Sequence, residues 1–144
     1  MKNKILYSWE ELQKDCIELV KKIKPIKFSF KNIYGVPRGG LVIAVIFSHL
    51  LNLPIILDKN RIGRDTLIVD DISDSGNTLK KLLETGEKRE KRTILTLWVN
   101  PRTKVFPDYF MRTKENEKDW IVMPFETIKS SKYDNKKLEK LEII

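Results

Sequence analysis

Residues 66–78 run TLIVDDISDSGNT: a short apolar stretch, two adjacent aspartates, and a polar turn with one glycine. The stretch ending in Val69 has no polar alternation, which is the pattern of a central parallel strand covered on both faces. The switch to polar residues at Asp70 marks its carboxyl end, and ligands bind at that end of open α/β sheets. The fold class that follows is α/β: a single domain with a central, mostly parallel twisted sheet flanked by helices.

Immediately downstream, Asp74-Ser75-Gly76-Asn77-Thr78 precedes an LKKLLE helix. A glycine, two hydroxyls and a helix N-terminus make an anion nest. Successive side chains on a strand point to opposite sides, so Asp70 and Asp71 are not expected to form a two-carboxylate acid/base dyad and suit hydroxyl partners instead. The same stretch has the outline of a calcium loop, but Leu82 stands where the bidentate glutamate is required.

Upstream, residues 28–36 are expected to form a strand entering the turn GVPRGG (35–40), after which LVIAVIFSHLL (41–51) forms an apolar helix. Strand, glycine loop and helix together offer backbone amides and a helix dipole to an anion, although a plain tight turn fits equally well. No lysine completes a Walker loop, and the glycine spacing is wrong for a dinucleotide fingerprint. His49 lies within the apolar helix and is expected in the core rather than as a base. Residues 53–57 supply another short strand, and 58–65 form a short basic connection back to the central strand.

Ser8-Trp9-Glu10-Glu11 is a capping box opening a helix whose apolar face carries Leu12, Cys16, Leu19, Val20 and Ile23, and Pro25 stops it. Cys16 on that face is a small buried hydrophobe rather than a nucleophile. Residues 93–99, TILTLWV, form a further buried strand with Trp98 in the core, ended by Asn100-Pro101.

With 144 residues, 41% hydrophobic and 33% charged, the chain is sized and composed as one globular domain. A single cysteine excludes an intramolecular disulfide and a four-cysteine zinc site, which fits a reducing cytoplasm. Neither a signal-peptide core nor a membrane span is present in the sequence, so no membrane partner is expected. The net charge is +8, but its densest patch, EKREKR (87–92), alternates sign without aromatics. That is a solvated loop or helix end, not a nucleic-acid face; phosphate-bearing small ligands would use the remaining excess.

VDDISDSGNT (69–78) is similar to the signature of type I phosphoribosyltransferases, which bind 5-phosphoribosyl 1-pyrophosphate, and YGVPRGG (34–40) resembles their pyrophosphate loop. SWEEL (8–12), PDYF (107–110) and DWIVMPFE (119–126) resemble the small purine enzymes of the xanthine-guanine or hypoxanthine-guanine type. The resemblance covers about residues 7–126 and implies the fold of that family over residues 1–127, with a small hood at roughly 100–127 and a C-terminal tail over 128–144. It implies Asp70 and Asp71 at the ribose hydroxyls, directly or through magnesium. Asp74 would be the general base toward the purine, and Ser75, Gly76, Asn77 and Thr78 would hold the 5-phosphate. Pro37, Arg38, Gly39 and Gly40 would hold the pyrophosphate, with Arg38 also acting in catalysis and the Pro37–Arg38 bond cis. Trp120, Ile121 and Asn100 would receive the purine. A homodimer or higher homo-oligomer is common in the family.

The chain departs from the family pattern in two places. Asn100 replaces the lysine that usually precedes the proline and reads the exocyclic oxygen at C6; an amide can donate there, or accept from an amino group. Residues 58–65 replace the long flexible loop that covers the active site. Loss of such a lid is compatible with a slow enzyme, with a lid from a neighbouring subunit, or with a regulatory protein that binds phosphoribosyl pyrophosphate or nucleotide without turnover. Lys59, Arg61 and Arg64 either substitute for the lid or are solvated.

Overall fold

The central strand is longer than its apolar stretch. In the computed structural model, which describes residues 3–85 and 91–126, it runs Thr66–Ser73 and carries both aspartates within it. The main-chain elements in order are β1 (Lys4–Leu6), α1 (Trp9–Ile23), β2 (Asn32–Gly35), α2 (Gly39–Leu51), β3 (Ile55–Ile56), β4 (Thr66–Ser73), α3 (Asn77–Leu83), β5 (Thr93–Val99), β6 (Arg112–Thr113) and β7 (Trp120–Val122). The strand extends past Asp70 because β5 continues alongside it, pairing Ile72 with Trp98 and Ser73 with Val99.

Five strands form one parallel sheet in the order β3-β2-β4-β5-β6. Alternation along the strands divides the core into two layers. Ile33, Leu67, Val69, Leu95 and Leu97 face Leu12, Cys16 and Leu19 of α1 and Ile43 and Phe47 of α2. Tyr34, Ile68 and Ile94 turn the other way, onto Leu79 and Leu82 of α3. Both faces are covered, which is why these strands are apolar without alternation, and each fully buried Leu or Ile contributes about 1.5–3 kcal/mol relative to exposure.

The capping box closes as expected, the Glu11 amide donating to Ser8 Oγ at 3.0 Å and the Ser8 amide to Glu11 Oε2 at 3.5 Å. Pro25 ends α1, but the chain continues as a 3-10 helix over Lys24–Ser29. The strand expected from residue 28 therefore begins only at Asn32: proline suits the first turn of a new helix, and Phe28 is 89% exposed rather than paired. Cys16 is fully buried, and burial followed by the nearby Asp15 charge pushes its thiol up to about 12, so it is an inert core residue. His49 is exposed, contrary to expectation. Although α2 is apolar almost all round, Ile43, Phe47 and Leu51, spaced by four, are buried, while Val45 and Leu50 share the open side with His49.

The hood draws on both ends of the described chain. β1 pairs in parallel with β7, Lys4 opposite Trp120 and Leu6 opposite Val122. It is tied to the body through Asp15, which is 4% exposed and receives Arg112 Nε at 2.6 Å and the Tyr7 hydroxyl. Arg112 also lies over the Tyr7 and Trp98 rings, 5.3 and 5.8 Å from their centroids. Burial, and then the bond to Asp15, raise the Tyr7 hydroxyl above its ordinary value, keeping it a neutral donor. The tail over 128–144 and residues 87–90 of the EKREKR run lie outside the described residues. Of that run, Arg92 is not simply solvated, since it donates to the Ile62 carbonyl at 2.8 Å. Among the described residues no helix is long and apolar enough to cross a membrane.

Candidate active site

A cleft of about 520 Å³ opens at the carboxyl ends of β2 and β4 and is roofed by the hood. Its floor is the junction of β2 and α2. The Val36 amide donates to the Val69 carbonyl at 3.0 Å, fastening this loop to β4, and the Pro37–Arg38 bond is cis. Pro37, Arg38 and Gly39 line the cleft. A Cβ on Gly39 would collide with the Asp71 carboxylate, so only glycine lets the loop lie against that acid. Gly40 belongs to the packing instead: it is buried against the Val69 carbonyl and does not line the cleft.

Asp70 and Asp71 come together, where strand alternation separates them. The Asp71 amide donates to Asp70 Oδ1 and the Ile72 amide to Asp71 Oδ1, both at 2.8 Å, which folds each carboxyl back along the main chain. Burial first, and then the Asp71 charge, hold Asp70 well above the usual carboxylate range; burial also raises Asp71. Two close, poorly solvated carboxyls share a proton unless a cation relieves them. No cluster of three or more metal-ligating side chains exists among the described residues. The pair nevertheless fits magnesium, which commonly takes one or two carboxylates and completes its shell with water and substrate phosphates.

The turn after β4 bends at Gly76, whose φ of 82° is left-handed. A Cβ there would meet Thr103 Oγ1 at 2.5 Å and the Lys104 amide nitrogen at 2.7 Å. Gly76 is accordingly buried beneath the turn, while Ser75, Asn77 and Thr78 line the cleft. Residues 103–105, unremarked in the sequence, buttress it: Ser73 Oγ donates to the Val105 carbonyl at 2.7 Å, the Lys104 amide to the Ser75 carbonyl at 3.0 Å, and Lys104 Nζ to Asn77 Oδ1 at 2.7 Å.

Asp74 lines the cleft with its side chain 44% exposed. Asn100 does not line it. Its amide donates to Asp74 Oδ1 at 3.0 Å and its carbonyl accepts from the Arg102 amide at 3.0 Å, which turns it toward the acid and away from a base position. The hood contributes Trp120, Ile121, Phe125 and Glu126. Glu126 gave no signal in the sequence; burial, followed by the Asp71 charge, raises it to about 6 against the lowering effect of Arg38. Lys59, Arg61 and Arg64 are exposed and none lines the cleft, which favours solvation over a substitute lid.

An acid pair, two loops rich in amides and hydroxyls, and an indole across one cleft can hold a sugar diol, two phosphate groups and a planar ring. Comparisons with known proteins agree. A xanthine-guanine phosphoribosyltransferase of Idiomarina loihiensis is 29% identical over 141 residues, covering 83% of this chain and 84% of that protein. The crystal structure of a purine phosphoribosyltransferase from Pyrococcus horikoshii superposes with a TM-score of 0.77 at 28% identity, over 92% of this chain and 99% of that one. The Helicobacter pylori xanthine-guanine-hypoxanthine phosphoribosyltransferase gives 0.68 at 26% identity, over 86% and 94%. The sequence pattern of the phosphoribosyl transferase domain matches residues 56–129, from β3 through the turn at Gly76 and on past β7, and the chain belongs to that family.

Proposed function

We propose that the chain transfers the phosphoribosyl group of 5-phosphoribosyl 1-pyrophosphate to a purine, with hypoxanthine, guanine and xanthine as the expected bases. The products are the nucleoside 5′-monophosphate and pyrophosphate, a purine-salvage reaction. The observation that carries this reading is that Arg38 and Gly39, Asp70 and Asp71, Asp74, the 75–78 turn and Trp120 border a single cleft. Fold and relatives support the same reaction.

In the mechanism, the hydroxyls and amides of Ser75, Gly76, Asn77 and Thr78 hold the 5-phosphate. Asp70 and Asp71 take the ribose hydroxyls and would hold magnesium, directly or through water, which supplies charge neutralisation for the departing pyrophosphate. Arg38 and the Gly39 amide stabilise the same group as it gains charge, while Gly40, packed against the Val69 carbonyl, supports the loop from below. The bond from the anomeric carbon to pyrophosphate breaks with its electron pair leaving on oxygen, and the bond to the purine nitrogen forms on the opposite face. Asp74 accepts the proton that the purine ring gives up. Trp120 stacks on the base, and Ile121 borders its edge.

Supporting a second reading, residues 57–65 place no side chain in the cleft. A catalytically weak or inactive protein that binds phosphoribosyl pyrophosphate or nucleotide would share the same diol and phosphate contacts. Steady-state assay with magnesium, phosphoribosyl pyrophosphate and adenine, guanine, hypoxanthine or xanthine separates the two. Turnover on a 6-oxopurine is expected; calorimetric binding of phosphoribosyl pyrophosphate without turnover on any base would establish the second reading. We also assign the protein to the cytoplasm, as a homodimer or higher homo-oligomer acting on small molecules and not on nucleic acid, in keeping with its single buried thiol and the habit of its family.

A further inference from the structure

Among the described residues, the one lysine buried at the site does not line the cleft. Lys114, immediately after β6, has its side chain 2% exposed, and its Nζ donates to Asp74 Oδ1 at 3.0 Å and to the Glu117 carbonyl at 2.9 Å. Its own amide donates to the Val99 carbonyl at 2.9 Å, fixing the backbone from which the side chain reaches inward. Asn100 Nδ2 reaches the same Oδ1 at 3.0 Å. Two donors therefore converge on one oxygen, while Oδ2 accepts no hydrogen bond from any described residue and Asp74 itself borders the cleft.

A buried ammonium is tolerated only when an opposite charge and hydrogen bonds replace its water. The contact is reciprocal, since the ammonium held by Asp74 also fixes which way Asp74 points. We infer that Lys114 is a positioning residue for phosphoribosyl transfer. Together with Asn100 it occupies Oδ1 and presents Oδ2, fixed in direction, to the N–H of the incoming purine. The family resemblance expects a cation at position 100; in this chain the cation is delivered from position 114, and to the proton acceptor rather than to the substrate.

This inference rests on the proposed reaction with Asp74 as its base, and a double-mutant cycle separates the two. Lys114→Met, of similar length, should lower kcat at least tenfold while leaving the KM for phosphoribosyl pyrophosphate within twofold. In an Asp74→Asn background the same substitution should change kcat less than twofold, because residues acting as a unit are not additive. Asn100→Ala, which removes the second donor from Oδ1, should lower kcat several-fold with the same unchanged KM, and serves if Lys114→Met does not fold. Lys114→Met within twofold of the unsubstituted kcat would overturn the role, as would an equal loss in both backgrounds, which marks Lys114 as merely structural. Loss of the role with normal unsubstituted turnover leaves the reaction standing; absence of turnover in the unsubstituted protein removes both.

Discussion

The phosphoribosyl side of the cleft comes from two short contiguous segments, residues 35–40 and 70–78, each following or ending a strand of the same parallel sheet. The side proposed for the base borders β7, which pairs with β1 from the other end of the described chain, while single side chains of the neighbouring β6 region reach back to earlier elements, Arg112 to Asp15 of α1 and Lys114 to Asp74. Main-chain amides and turn glycines are the phosphate grip proposed for the first region. In the second, side-chain identity decides both orientation and charge. A local motif thus fixes what is gripped, whereas long-range assembly decides what is presented to it.

Asp74 stands at the seam of the two regions, and its replacement should have the largest effect. Asp74→Asn is expected to lower turnover at least tenfold, since general acid–base catalysis typically contributes about 10²–10⁴-fold. Calorimetric affinity for phosphoribosyl pyrophosphate should survive; unchanged turnover would move the base elsewhere. Trp120→Ala tests the base side alone. Loss of a stacking platform costs about 1–3 kcal/mol, so the KM for the purine should rise roughly five- to a hundred-fold with the phosphoribosyl substrate unaffected. An equal rise for both substrates would show that the indole supports the hood rather than the base.

Glu126 offers the smallest effect and a pH signature. Burial and the Asp71 charge raise it to about 6, so the folded state holds its proton more tightly than the unfolded chain does. Its contribution to stability is present below the ordinary value near 4.5 and is lost as pH rises through about 6. Glu126→Gln should therefore be more stable than the unsubstituted protein at pH 7.5, with the difference gone by pH 4, by urea unfolding at each pH. A difference independent of pH would mean that packing, not ionisation, separates the two.

How much of this was legible in the sequence follows the same division. The 66–78 stretch announced a covered strand, an acid pair and an anion turn because strand burial, turn glycine and helix start are all local properties. The strand's continuation to Ser73, and the approach of Asp70 to Asp71, were not legible, because pairing with β5 and the fold-back onto neighbouring amides override simple alternation. Lys114 sits in the charged run RTKENEKD, which resembles a solvated loop, and only its distance from Asp74 in space distinguishes it. The resemblance puts Asn100 at the base because it holds the position of the family's lysine; in the fold its amide meets a competing acceptor, Asp74, just beyond β4.

The β1–β7 ladder carries a consequence for how the protein is made. Lys4 pairs with Trp120, so β1 waits for the last described strand before it finds a partner. Non-local pairings close late, once the intervening chain is ordered. The five-stranded sheet can therefore order first, whereas the β1–β7 ladder closes only once β7 has been made.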